Sequence, residues 1–440
     1  MKKSAVNLKR ACAFALSLSV VIPTSSASGQ FNPVPPATAA SLPQHLSAQA
    51  WQDDVTALAT QLPKLHTNAF FKIKAEDFQQ AANKLVDEIP ALADAQVALR
   101  IAQLVAMIGD SHTQAFIDFR RWSIQPLPIE VLSFSDGLFI IQATPDLRDL
   151  LGARITAIGA ARIDDAIKKV GTFFAYENES LLKNNLPIWI TRAQALRTAE
   201  LTDNADLVTL AIHDVQGQDR LVQLQPNPAG RNTLMLSLPE VTAQTVTPLS
   251  WQQRAQIFWF DFMPDFKTVY CRYDHCADDK NESVAQFADR LLKFIDRNGV
   301  QKLIVDLRRN GGGDSGLLRP LINGIKARQA INQKGRLVVL IGRTTFSSAM
   351  MNADELRHET NALLYGEPTG GKPNSFGEVK SFNLPNSGIK IQYSTKYWRM
   401  EEADPPSLMP DVKIEMASTD YFAIKDPVLD AALAAKSAGP

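Results

Sequence analysis

At 440 residues the chain is too long for one compact core, so about two or three domains are expected. With 45% hydrophobic and 21% charged residues, its composition is that of a folded protein, which excludes a disordered polyelectrolyte. Lys plus Arg and Asp plus Glu stand at 46 each, and the absence of a basic face excludes nucleic acid as a partner.

The first residues read as an address. Lys2, Lys3, Lys9 and Arg10 precede an apolar run from Ala11 to Ile22, followed by Pro23-Thr-Ser-Ser-Ala-Ser28. A basic start, a short apolar core and small residues after a break are the parts of a secretory signal, so residues 1–29 are expected to be a signal peptide. The chain would then be exported, to the periplasm or beyond. Losing those four cations leaves 42 basic residues (46 less four) against 46 acidic ones. The apolar run is too short for a permanent span, no other stretch approaches that length, and no stable membrane anchor is expected. Cys12 lacks the preceding Leu and small residues of a lipid-modified cysteine. Cys271 and Cys276 remain, and in an oxidising compartment a small local disulfide is the default, with free thiols as the alternative. A metal site with His275 would be short of ligands.

Residues 30 to 43 are rich in Pro, Ala and Ser and read as a leader. Trp51, Val55, Leu58 and Leu62 share one helical face, as do Val97, Ile101, Leu104 and Ile108; Pro63 and Pro90 are expected to break the pattern between helices. A helical region is therefore expected over 30–118. From Trp122 the texture changes. Leu127 to Phe134 and Gly137 to Ile141 are β-like, joined by the turn Ser135-Asp-Gly. Leu150 to Gly159 alternates glycine turns with a strand, and Ile163 to Val170 looks helical. A small β-rich module is expected over 119–225.

Residues 226–440 alternate strand and helix: a strand over Phe266 to Tyr273, a capping box Ser283-Val-Ala-Gln286 opening a helix, a buried strand over Lys302 to Leu307 and a helix over Leu317 to Ile325. A strand over Arg336 to Ile341, a helix over Met350 to Arg357 and a strand over Ala362 to Tyr365 follow. This α/β alternation predicts a largely parallel sheet, with ligands at the carboxyl ends of its strands. Two motifs stand at such ends. Val305-Asp-Leu-Arg-Arg-Asn-Gly-Gly-Gly313 is a strand running into three glycines, whose amides can turn toward one anion. Neither a dinucleotide fingerprint nor a phosphate loop ending in Lys-Ser/Thr is present. Thr344-Thr-Phe-Ser-Ser-Ala349 is a hydroxyl-rich turn at a helix start. Ser347 there is either an N-cap or a nucleophile helped by the free amides and dipole of the helix start.

These two motifs and Gly366-Glu-Pro-Thr-Gly-Gly-Lys372, in that order, resemble the tail-specific (C-terminal processing) protease superfamily, which also contains the tricorn-type proteases. The resemblance covers roughly residues 260 to 415 well and the N-terminal half loosely. It implies a crotonase-like spiral β/α catalytic domain over 226–440 and a serine endopeptidase acting on a protein or peptide through an acyl-enzyme on Ser347. The oxyanion hole would come from the amides of Ser348 and Gly312. The run Gly152-Ala-Arg-Ile-Thr-Ala-Ile-Gly159 resembles that of PDZ-type modules. No metal or organic cofactor is called for. A catalytically inactive apolar-ligand or peptide binder on the same fold, and a non-peptide ester hydrolase, are the alternatives.

Two residues compete as the general base. The tail-specific branch uses a lysine, matched by Lys372, although Pro373-Asn374 follow where glycine is usual, and His358 occupies a position that is usually acidic. The tricorn branch uses a histidine beside a serine, matched by Ser111-His112, with a glutamate near the C-terminus, matched by Glu401 in Trp398-Arg-Met-Glu401. The histidines at 45, 66, 213, 275 and 358 have no visible constellation.

Overall fold

The computed structural model describes residues 45–227, 234–242, 244–252 and 255–436. The expected signal peptide and leader lie outside the described residues. Three helices, Ala48–Leu65, Ala75–Glu88 and Asp94–Ala106, open the described chain. Their predicted apolar faces are the buried ones: Trp51, Val55, Leu58 and Leu62 on the first, and Val97, Ile101 and Leu104 on the third. Pro63 does not end the first helix at once, because it sits in the last turn, where few hydrogen bonds remain to be lost. Among the described residues no helix is long and apolar enough to cross a membrane.

The fold is mixed α/β, with three sheets among the described residues. A seven-stranded antiparallel sheet carries Ile129–Phe134, Gly137–Ala143, Arg154–Ile158, Val208–His213 and Asp219–Leu224 in that order, with two short strands paired at its side. A three-stranded sheet joins Gln114–Phe116 to the hairpin of Ser375–Asn383 and Lys390–Trp398. The helices, the seven-stranded sheet and the hairpin residues Leu384, Ile389, Ile391 and Tyr393 share one apolar cluster. The 45–227 segment and part of the C-terminal half are therefore bound through common packing.

The third sheet has six strands. Thr268–Tyr273, Lys302–Asp306, Leu337–Ile341, Leu363–Gly366 and Val412–Lys413 run parallel, and Phe258–Met263 pairs antiparallel at one edge. Its central strands are buried at every position, the pattern of a sheet covered on both faces. Side-chain alternation sorts them. Val269, Leu303, Val305, Val339 and Ile341 join the cluster that includes residues of the helices Val284–Arg297, Arg319–Lys326 and Ser348–Glu359. Tyr270, Ile304, Val338 and Leu340 pack with Val428, Leu429 and Ala432 of Pro427–Ala434. Ser283 and Gln286 form the predicted capping box. The helix expected from Leu317 is entered through a 3₁₀ turn, Ser315–Leu318, capped by Asp314.

Candidate active site

Strands Lys302–Asp306 and Leu337–Ile341 are parallel neighbours, with Asp306 opposite Leu340. Their carboxyl ends therefore emerge about 5 Å apart, and the glycine loop and the serine turn meet. Hydrogen bonds join them: Phe346 N–H donates to the Asn310 carbonyl at 3.2 Å, and the Thr345 hydroxyl, Oγ1, donates to the Leu307 carbonyl at 2.9 Å. The polar residues of the first motif are architectural. Arg308 forks onto both oxygens of Asp426, at 2.8 and 2.9 Å, and also grips Asp306, which accepts from Tyr270 Oη at 2.6 Å. Cutting one partner from such a buried set costs about 3–5 kcal/mol.

Ser347 stands between two glycine segments. An ideal Cβ on Gly312 would lie 2.8 Å from Ser347 Cβ, and one on Gly371 would lie 3.1 Å from Ser347 N. Only glycine lets both loops close on the turn. The backbone of Ser347 has φ 52° and ψ −129°, and its hydroxyl makes no capping bond to the helix Ser348–Glu359. A serine held at positive φ is strained, and an N-cap would have extended dihedrals and a bonded hydroxyl. The capping explanation therefore fails. The Ser348 N–H lies in the first turn of that helix, where no intrahelical carbonyl reaches it. Its hydroxyl donates to the Gly313 carbonyl at 2.5 Å.

The Gly312 amide, expected in the oxyanion hole, donates to Asn310 Oδ1 at 2.9 Å. Asn310 is fully buried and its amide also donates to the Tyr273 carbonyl, so this bond belongs to the scaffold of the loop. Gly313 behaves differently. Cys276 N–H takes the Gly312 carbonyl, and Asp314 N–H takes the Cys276 carbonyl. That parallel bridge leaves both the N–H and the carbonyl of Gly313 on its other side, where its carbonyl meets Ser348.

His112 reaches this place from the other half of the chain. Its ring lies 4.5 Å, centroid to centroid, from that of Phe346, the residue before Ser347. Both ring nitrogens are buried and have no hydrogen-bond partner, so a bond to Ser347 is not made in this structure. Burial lowers the His112 pKa from its usual value, against the opposing pull of Asp110. The ring is thereby kept neutral, with a lone pair available. The turn that carries it is fastened by Asp110. One oxygen accepts the His112 N–H at 2.9 Å; the other accepts from His66, Thr113 and Ser394 at 3.1, 2.5 and 2.7 Å. Burial alone would raise the Asp110 pKa, but His66, His112, Thr113 and Ser394 together hold it at about 2. Gln392 of the hairpin donates to the His112 carbonyl at 2.9 Å.

Ser111 donates to Glu177, at 2.6 Å, and not to Glu401. Burial raises the Glu177 carboxyl, the Ser111 bond lowers it, Asp110 raises it again, and Lys72 and Lys372 draw it down. Asn178 ties the same loop to the third motif, donating to the carbonyls of Gly370 and Pro406 at 3.0 and 2.8 Å. Glu177 escaped the sequence reading because no spacing rule links a loop acid to a serine 66 residues away. The Asn178 N-cap of Glu179–Ile190 was the one local sign of order there. Glu401 instead pairs with His358 at 3.1 Å. Lys372 donates to Asp404 at 2.7 Å, so its Nζ is engaged by a carboxylate.

The cysteine expectation also changes. Cys271 and Cys276 are buried free thiols. Cys271 points into the core from mid-strand, whereas Cys276, beyond the strand end, lies 3.5 Å from Asn310 Oδ1 and Asn352 Oδ1. Burial pushes the Cys276 thiol up to about 12, so it is inert as a nucleophile. Its backbone is what braces Gly313.

No family model matches the chain, and no curated protein matches it in sequence. Solved structures do. Mature CPAF aligns over 86% of this chain and 94% of its own with TM-score 0.57 at 12% identity. Mature CPAF complexed with lactacystin aligns over 88% and 98% with TM-score 0.56 at 13% identity. The fold is shared with these solved structures. The photosystem II D1 C-terminal processing protease aligns over 83% of this chain and 92% of its own at 15% identity, with TM-score 0.36. At such identities the likeness speaks for the fold.

Proposed function

We propose that the chain is an exported serine endopeptidase in which Ser347 is the nucleophile and His112 the general base. One observation carries the reading: a buried, neutral histidine with two unpartnered nitrogens packs on the ring of Phe346, the residue before a serine held at positive φ. An unpartnered buried imidazole is costly, and a proton-transfer partner arriving with substrate gives it a purpose; catalytic hydrogen bonds often close only in the loaded enzyme.

In this reading Ser347 Oγ attacks the peptide carbonyl carbon as its proton passes to His112. The carbonyl oxygen becomes an oxyanion, held by the amides of Ser348 and of the glycine loop, at about 3 kcal/mol for each donor. Gly313 N–H is the loop amide best placed by its bridge, with Gly312 setting the approach. Collapse breaks the C–N bond, and the amine leaves with the proton from His112. Water then releases the acyl group by the same steps in reverse order of partners. Ser111, the residue before His112, and Glu177 form a hydroxyl–carboxylate pair and act as positioning residues. The parallel sheet supports assignment of 226–440 to a crotonase-like spiral catalytic domain, and the antiparallel strands within 119–225 to a PDZ-like module.

A fluorophosphonate probe tests the reading. Intact mass is expected to show one adduct, mapped to Ser347 and absent in Ser347→Ala. A folded wild-type chain that takes no label would remove serine catalysis from consideration.

A further inference from the structure

The glutamate expected at the catalytic site has another setting. Asp354 and His358, four residues apart on the helix that begins at Ser348, share one face. Glu401 approaches them from the loop after the strand Lys390–Trp398. His358 Nε2 lies 3.3 Å from Asp354 Oδ1 and 3.1 Å from Glu401 Oε1, and the three candidate ligand atoms all lie within 4.8 Å of one another. Among the described residues this is the group of His, Cys, Asp and Glu side chains whose atoms converge in this way.

A proton does not account for the arrangement. Nε2 carries at most one hydrogen, whether the ring is neutral or cationic, and it faces two carboxylate oxygens. Asp354 Oδ1 is buried with no hydrogen-bond partner, on a side chain only 5% exposed. A cation bound to the Nε2 lone pair and to both oxygens would satisfy all three atoms. The spacing suits one. Ligands about 2.0–2.1 Å from a tetrahedral metal stand roughly 3.3 Å apart, close to the two separations measured at Nε2. The third ligand is held in advance: buried Asn374 accepts from Met400 N–H and Glu401 N–H, each at 2.9 Å, and donates to the Glu401 and Ala403 carbonyls.

We propose that Asp354, His358 and Glu401 form a binding site for a divalent metal ion of the zinc class. One imidazole and two carboxylates suit that ion and leave a fourth position to solvent, on the side where His358 is exposed. The site is separate from the reacting groups, since Asp354 lies seven residues, about 10 Å of helix rise, beyond Ser347. It joins the nucleophile's helix to the loop whose Asp404 holds Lys372. Its role is to clamp that loop, and it stands whether or not Ser347 is catalytic.

The test is calorimetric titration of the chelator-stripped full chain with ZnCl₂, with Co²⁺ as a spectroscopic probe and thermal melting in parallel. One Zn²⁺ per chain, Co²⁺ bands of a tetrahedral site and a zinc-dependent rise in Tm are expected. His358→Ala and Glu401→Gln lie at the surface and are each expected to weaken binding roughly 100-fold or more, a loss no smaller than that from removing an outer-shell partner, and to abolish the Tm rise. Ser347→Ala should bind as wild type does. Absence of zinc binding by the wild-type chain, or binding retained in both ligand variants, would overturn the proposal.

Discussion

Gly312→Ala isolates what the glycine loop does for the proposed nucleophile, Ser347. The residue has φ +114°, a conformation that costs a side chain about 1–3 kcal/mol. The new methyl would also stand 2.8 Å from Ser347 Cβ and 3.2 Å from both the Phe346 carbonyl and the Ser348 N–H. Carbon atoms settle about 3.5–4.0 Å apart, so Ser347 and the loop must separate by roughly 1 Å. A displacement of that size at a reacting group can cost about 100-fold in rate, near 2.7 kcal/mol of activation free energy. The matched control is Gly299→Ala. It too has positive φ, 61°, but nothing lies within 4 Å of its Cβ position, so the control loses about 1 kcal/mol of stability through backbone strain alone. Denaturant unfolding and the rate of fluorophosphonate labelling are measured on both. Labelling should fall about 100-fold in Gly312→Ala and stay unchanged in Gly299→Ala. If Gly312→Ala labels within threefold of wild type (about 0.7 kcal/mol), the close approach is not part of catalysis.

His112→Ala should slow acylation by about 10²- to 10⁴-fold, whereas Lys372→Ala, which loses one pair to the exposed Asp404, should cost less than about 1 kcal/mol; the opposite ranking in labelling rates would make lysine the base. Because burial lowers the His112 pKa and the proposed base acts as the neutral ring, labelling should persist below the ordinary histidine range near 6.5 and fail only at lower pH. A pH–rate profile with its midpoint above that value would contradict this. The Asp110 pKa is held at about 2 in place of 3.8, worth about 2–3 kcal/mol. Since that pKa is depressed, the stabilisation is complete above the unfolded value and is lost as pH falls from 3.8 through about 2. Asp110→Asn should therefore be less stable by about that amount at pH 7, with the gap closing toward pH 2, as urea unfolding across pH would show. Glu177→Gln keeps the shape of the Ser111 partner but removes its charge, and is expected to lower labelling with little change in Tm; an equal loss in Glu401→Gln would reassign the acid.

Much of the six-stranded sheet was legible in order along the chain. The buried runs at Lys302 and Leu337, the glycines and the Ser347 turn are local patterns, because a strand covered on both faces must be apolar throughout and its exit needs residues that tolerate sharp turns. Parallel pairing of the two strands then brings the two motifs together, a consequence of connectivity that alternation of strand and helix already implies. Ser111-His112 was visible as a pair beside a helix end.

What only tertiary structure decided was which distant side chains those groups meet. Ser111 finds Glu177 because the loop before Glu179–Ile190 is pinned by Asn178 to Gly370 and Pro406. Glu401 is drawn to His358 and Asp354 because Asn374 fixes its backbone there. Cys271 and Cys276 stay apart because a strand interior and its far end present their side chains to different neighbours. Hydrogen-bond partners across tens or hundreds of residues follow from packing, which no short-range periodicity encodes. The sequence by itself therefore determined the sheet, its turns and the candidate nucleophile. The fold decided that His112 lies beside the Ser347 turn with its nitrogens unengaged, that Lys372 is occupied by Asp404, and that the acid near Ser111 is Glu177.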